Sequence, residues 1–169
     1  MDETGVVVAF WALSVLTLGS ALMVALVRDL IHAVLFLILS FVGVAGLYIT
    51  LSADFVAAVQ VLIYVGAVSV LMLFAILLTP RSARDNASVS YRAPVSVVAG
   101  LVGAAIVFVS LKTDWPEADR GPFTTTAAAI GEALLDPYVL PFEVASVLLV
   151  VAMVGAIVLV RPPGEDGRR

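Results

Sequence analysis

The side chains of this sequence that could do chemistry are few and widely spaced. Gln60 and Tyr64 stand four apart, followed directly by Val65, Gly66 and Ala67. At helical spacing an amide and a phenol four residues apart share a face. In hydrocarbon each needs a partner on another helix or in water. A mid-helix glycine costs about 1 kcal/mol relative to alanine and permits close packing or local irregularity. The group therefore reads in two ways, as a packing face held by one or two hydrogen bonds or as a distorted turn beside a hydrated path. Glu143 is the single acid of the last apolar stretch. With Pro141 as the first helical residue, its carboxylate would reach back to free N–H groups and meet the positive end of the helix dipole. The alternative is a carboxylate paired to a neighbouring subunit or to a water chain. Arg28, Asp29 and His32 form a third polar group. A metal site needs several ligands, and His32 is the one histidine of a sequence without cysteine. Metal, iron–sulfur and disulfide chemistry are not expected on this chain.

What must position these residues is a set of five apolar stretches, at about 5–27, 30–52, 55–79, 95–112 and 140–160. Each meets the requirement of about 20 apolar residues, with about 17 as a minimum, for a helix crossing a bilayer. Hydrophobic residues make up 62% and charged residues 13%, against roughly 45–50% and 25% in soluble domains. The runs do not alternate as barrel strands do, and in lipid a helix satisfies its own backbone where an open strand cannot. The expected fold is all-α, a polytopic integral membrane protein with five transmembrane helices in a single membrane domain over 1–169. Ionisable groups at depth mark proton paths. Here they are almost absent, so a complete relay on this chain is not expected. The first stretch exceeds a signal core of about 7–15 residues and follows the acidic Asp2 and Glu3, so it is expected to be retained. No basic patch points to nucleic acid.

Basic loops stay on the cytoplasmic side. Arg28, Arg81, Arg84, Arg92, Arg161, Arg168 and Arg169 fall on one side of the five spans, and only Lys112 and Arg120 on the other. Seven against two places the N-terminus outside and the C-terminus in the cytoplasm. The external connection then holds a short amphipathic helix at about 125–135, capped from Thr124–Thr126 and ended before Pro137. The internal 81–94 loop is polar, and the tail at 162–169 is expected to be disordered. Small residues in the second span (Ser40, Gly43, Gly46), the fourth (Gly100, Ala104) and the fifth (Ala152, Gly155, Ala156) are expected packing surfaces. So many of them suit contact with other subunits.

Three blocks carry a resemblance. The run from Asp54 to Leu71, with its Gln-x-x-x-Tyr-x-Gly-Ala core, resembles the third-helix signature of the J subunit of the proton-pumping NADH:quinone oxidoreductase, respiratory complex I. This subunit is the counterpart of mitochondrial subunit six. The run from Leu140 to Leu159, opening Leu-Pro-Phe-Glu-Val-Ala-Ser, resembles the family's last helix, and the run from Arg28 to Phe41 the start of its second. The resemblance implies a membrane-arm subunit lying between the quinone-chamber and antiporter-like subunits; compact length and the lack of an organelle-targeting leader point to a bacterial plasma membrane. It implies no redox group on this chain, with flavin, iron–sulfur clusters and quinone held elsewhere in the complex. It also implies a third helix that switches between α and π winding around Tyr64, Val65 and Gly66, opening or closing a water path. Some relatives carry an acid in that helix where this chain has Gln60 or apolar residues, so a gating role is implied rather than proton carriage.

Other readings are the corresponding subunit of a related ferredoxin-type oxidoreductase, an independent small transporter or channel, and a purely structural scaffold. A transporter should hold ionisable or substrate-binding residues in mid-membrane. A scaffold predicts that changes at Tyr64 or Gly66 alter abundance alone.

Overall fold

The computed structural model describes residues 3–79, 92–115 and 126–160. The loop residues up to 91, the tail at 162–169 and the capping threonines 124 and 125 lie outside that set. Among the described residues seven α-helices follow one another: α1 (Glu3–Leu26), α2 (Leu30–Thr50), α3 (Asp54–Val59), α4 (Ser69–Leu78), α5 (Arg92–Lys112), α6 (Thr126–Leu135) and α7 (Val139–Val160). Between α3 and α4 the chain runs without a break through a π-helical segment, Gln60–Val68. These three pieces form one apolar span, Asp54–Leu78. Together with α1, α2, α5 and α7, that makes five helices long and apolar enough to cross a membrane. No strand occurs among the described residues.

The chain divides into two compact units, Met1–Phe123 and Thr124–Arg169. In the first, α1 and α2 form an antiparallel pair joined by Val27–Asp29. The sequence makes this seam close because its facing residues are small. A Cβ on Gly43 would overlap the Thr17 hydroxyl, and one on Gly46 would lie 2.7 Å from a Leu13 methyl. The Ser40 hydroxyl reaches the Thr17 carbonyl at 3.4 Å. Within lipid, apolar area gives no drive for helices to associate, so intimate van der Waals contact and such interhelical polar bridges must hold the pair. Ser20 and Thr17 spend their own hydroxyls inside α1, on Leu16 and Leu13 carbonyls at 2.6 and 2.8 Å.

Both ends of α2 are finished locally. At its start Asp29 accepts from the Ile31 N–H at 2.8 Å as the N-cap. That bond holds the Asp29 carboxyl below the usual aspartate range against the opposing effect of desolvation, with His32 adding to the lowering. His32 Nδ1 lies 3.4 Å from the carboxylate. The polar group at this turn is therefore a cap and its neighbour, both well exposed. At the far end the Ala53 N–H donates to the Tyr48 carbonyl at 2.9 Å and the Ser52 N–H to Ile49 at 3.0 Å. Ser52 sits at φ 58°. This is a Schellman turn with serine in the left-handed position where glycine is usual. It reverses the chain within three residues and starts α3.

The third span packs on α2 along α3, the π segment and α4. No described element packs on α5 within the first unit, and a Cβ on Gly100 or Gly103 would meet open space. Its end is closed by the Trp115 indole N–H, which donates to the Ser110 carbonyl at 3.1 Å. In the second unit α6 packs on α7. Asp136–Tyr138 joins them, the Tyr138 N–H donating to Ala133 at 2.9 Å.

Candidate functional site: a π-helical turn in the third span

The third span begins as ordinary α-helix, with Asp54 in the first turn where a carboxylate suits the dipole. From Gln60 to Val68 it winds more loosely. In this winding the bonded partner is five residues back rather than four. At its downstream limit the Ser69 N–H donates to the carbonyls of Tyr64 and Gly66. The Ser69 hydroxyl donates to the same Tyr64 carbonyl at 2.5 Å.

This winding decides which side chains are hidden. Ala57, Gln60 and Ser69 are the buried residues of the span, Gln60 at 8% and Ser69 at 1% exposure. Since the only described helix packed on the span is α2, all three must face it. In an uninterrupted α-helix, nine residues make about two and a half turns, which would put Gln60 and Ser69 on opposite sides. One inserted residue takes back about 100° of rotation and leaves them about 80° apart. That fits within an apolar-facing stripe about 100° wide. The π turn is what brings both polar residues onto α2.

The same geometry separates Gln60 from Tyr64. The α-helical spacing predicts a shared face, but in π winding the neighbour above a residue is the fifth, not the fourth. Gln60 is buried while Tyr64 is 46% exposed. Tyr64 nevertheless touches α2, its ring edge-on to Phe41 with centroids 5.6 Å apart and planes at 72°. Val65 and Gly66 are half-buried. A Cβ on Gly66 would lie 3.4 Å from the Val61 carbonyl, five residues back. Alanine could stand there; branching at Cβ would push into the wide turn.

Gln60 is chemically the most notable member. Among the described residues its amide has no hydrogen-bond partner, although the side chain is more than nine-tenths buried. A buried amide left unpaired costs about 1–3 kcal/mol, which a bound water would offset. The arrangement can hold a water against α2 beside a turn whose winding is adjustable. Sequence reasoning placed Gln60, Tyr64, Val65 and Gly66 together and missed Ser69 and Phe41.

Glu143 belongs to the second unit. There α7 starts at Val139, two residues before the expected Pro141. Pro141 is thus third and Glu143 fifth in the helix, beyond the first turn, and its carboxylate makes no capping bond among the described residues. It stands exposed on a largely apolar helix, its carbonyl accepting from the Ser146 hydroxyl at 2.8 Å. Of the small residues expected to form packing surfaces, those of α2 meet α1, whereas a Cβ on Gly155 in α7 would meet nothing within 4 Å.

The family model of NADH-ubiquinone/plastoquinone oxidoreductase chain 6 matches residues 20–159. The chain belongs to that family. NAD(P)H-quinone oxidoreductase chain 6 of Leptolyngbya boryana is 42% identical over 166 residues, covering 95% of this chain and 83% of the relative. NADH-quinone oxidoreductase subunit J of Rhodobacter capsulatus is 38% identical over 174 residues, covering 96% and 85%. F(420)H(2) dehydrogenase subunit J of Methanosarcina mazei is 35% identical over 163 residues, covering 92% and 91%. The match to the chain 6 family takes in the whole of α2, the π segment and nearly all of α7. An independent small transporter is disfavoured by this membership, as is a chain that works alone.

Proposed function

We propose that this chain is a membrane-arm subunit of a proton-translocating NADH:quinone oxidoreductase, and that its third span gates a hydrated path linking quinone reduction to proton transfer. Electrons enter and leave through other subunits, which hold the flavin, iron–sulfur clusters and quinone. Within the membrane arm this subunit contacts the quinone-chamber and antiporter-like subunits, in a bacterial plasma membrane. The observation that carries the gating reading is the buried, unpaired Gln60 at the edge of the π segment. Removing one residue's worth of π winding would turn everything beyond it by about 100°. Tyr64 would leave Phe41, and Gln60 and Ser69 could no longer both face α2. A water held at Gln60 would thereby gain or lose its continuation.

Gln60→Leu separates this reading from a scaffold. As packing, the change replaces an unpaired buried amide by an apolar group and should be neutral or stabilising. As part of a hydrated path, it removes the one buried side-chain amide among the described residues that can hold water there. The expected result is a normally assembled complex whose proton-to-electron ratio in proteoliposomes falls by about half or more, the effect of losing order 1–3 kcal/mol of water binding. An unchanged ratio in the assembled variant would reject the path.

Glu143 is assigned a partner beyond its own unit, because an exposed carboxylate on an apolar span is costly without one. Glu143→Gln keeps the shape and removes the charge. Assembly or pumping should drop measurably in blue-native gels or proteoliposomes; if both stay normal, the carboxylate has no such partner.

The relatives named for NAD(P)H and for F(420)H(2) have similar identity to this chain. We assign the choice of electron donor to the input subunits, with this span serving whichever donor they accept.

A further inference from the structure

We infer that Ser69 is a positioning residue for this gate, a register latch whose hydroxyl holds the third span in π winding. The inference rests on the gating reading for its functional meaning, though not for its structural content. Hydroxyls within the α-helices that bond inside their own helix return to a carbonyl three or four residues back, as Thr17 does to Leu13, Thr50 to Leu47 and Ser146 to Glu143, each at 2.8 Å. Ser69 reaches five residues back, to Tyr64, at 2.5 Å. That distance is at the short end of the range for an O–H···O bond. The same carbonyl also accepts the Ser69 N–H. One residue thus donates twice to the acceptor that defines the π turn.

The bond depends on winding. Tightening the segment to α would assign the Ser69 N–H to Val65, and the Tyr64 carbonyl would move toward the N–H of Val68. The hydroxyl could then use Val65 in the ordinary four-back manner, so the hydroxyl itself is satisfied in either state. What differs is where it lies. With Ala57 and Gln60 kept against α2, the residues beyond the segment rotate by about 100°. Ser69, now 1% exposed, would be carried off the α2-facing side toward lipid or a partner. The π register is therefore favoured by a short bond and by full enclosure of a polar side chain, both supplied by one serine. A methyl group in its place would have no preference for the buried side in a bilayer.

The test uses the intact purified complex carrying Ser69→Ala, Ser69→Cys or Ser69→Thr, with the register of the third span counted over cryo-EM particle classes. The ratio of π to α winding should fall about five-fold in the alanine form, the population change equivalent to about 1 kcal/mol for carrying a polar side chain out of its enclosure on α2 toward an apolar surround. Cysteine, of similar size but a weak donor, should fall likewise, while threonine keeps the hydroxyl and should remain near the parent. An unchanged ratio in the alanine and cysteine forms would overturn the latch, as would an equal shift in the threonine form, which would assign the effect to side-chain volume. Proton-to-electron ratios on the same samples separate the two ideas. A shifted register with unaltered pumping upholds the latch and rejects the gate.

Discussion

Valine at position 66 should uncouple the complex while leaving electron entry untouched. In the π turn a Cβ at this position is already 3.4 Å from the Val61 carbonyl, so Gly66→Ala fits at ordinary contact distance. The two γ-carbons of valine do not. Overpacking of this kind costs about 1–3 kcal/mol, which is borne by the π winding and spared in a tighter α turn. A segment balanced between the two states would then shift by roughly 5- to 150-fold toward α. NADH oxidation with an artificial acceptor should be unchanged. Proton translocation per electron pair should fall to about half or less, as expected when one state of a two-state element is nearly emptied. Gly66→Ala is the control and should remain close to the parent. Coupled turnover at the normal ratio in a fully assembled Gly66→Val complex would exclude position 66 from the gate.

The second large effect is on assembly. In Gly43→Ala the new methyl would overlap the Thr17 hydroxyl and lie 3.3 and 3.4 Å from Thr17 Cβ and Cα. Rotating the hydroxyl away would break its bond to the Leu13 carbonyl and still leave Thr17 Cβ, at 3.3 Å, tighter than ordinary contact. The helices must part, at a cost of about 1–3 kcal/mol. The loss should appear as a lower melting temperature and a smaller yield of intact complex, with turnover per assembled complex preserved. Adding Thr17→Ala removes the worst overlap but not the 3.3 Å approach to Cβ, so partial recovery is expected. Adjacent residues of this kind couple by about 0.5–3 kcal/mol in double-mutant cycles. Strict additivity of the two changes would mean that α1 and α2 are not held at this seam.

Much of this architecture is legible in the sequence, because uninterrupted apolar runs leave a chain in lipid little choice but helix. The seam was legible too: Ser40, Gly43 and Gly46 mark where a neighbour comes close, although the sequence does not say that the neighbour is α1. Winding was harder. Pairing Gln60 with Tyr64 assumed four-residue spacing, which holds only for α-helix, and the real partner of Tyr64 across the seam is Phe41. Ser69 reads in isolation as one more small polar residue. The missed signal was joint: two polar positions nine apart cannot both turn away from lipid in a straight helix. At Glu143 the error was one of phase. Proline suits the first turn of a helix, but α7 begins two residues sooner, and that shift carries the carboxylate out of capping range.

The Schellman turn at Leu51–Ala53 has a mechanical corollary. Three residues tied by two backbone bonds leave no slack at the upstream end of the third span. Twist gained or lost in the middle cannot drain away there. The span therefore works as a shaft with one end clamped, and any torque must be delivered through α4. Whatever senses or drives the motion should be sought beside that free end, and lengthening the clamp by inserted glycines should let the shaft spin idle.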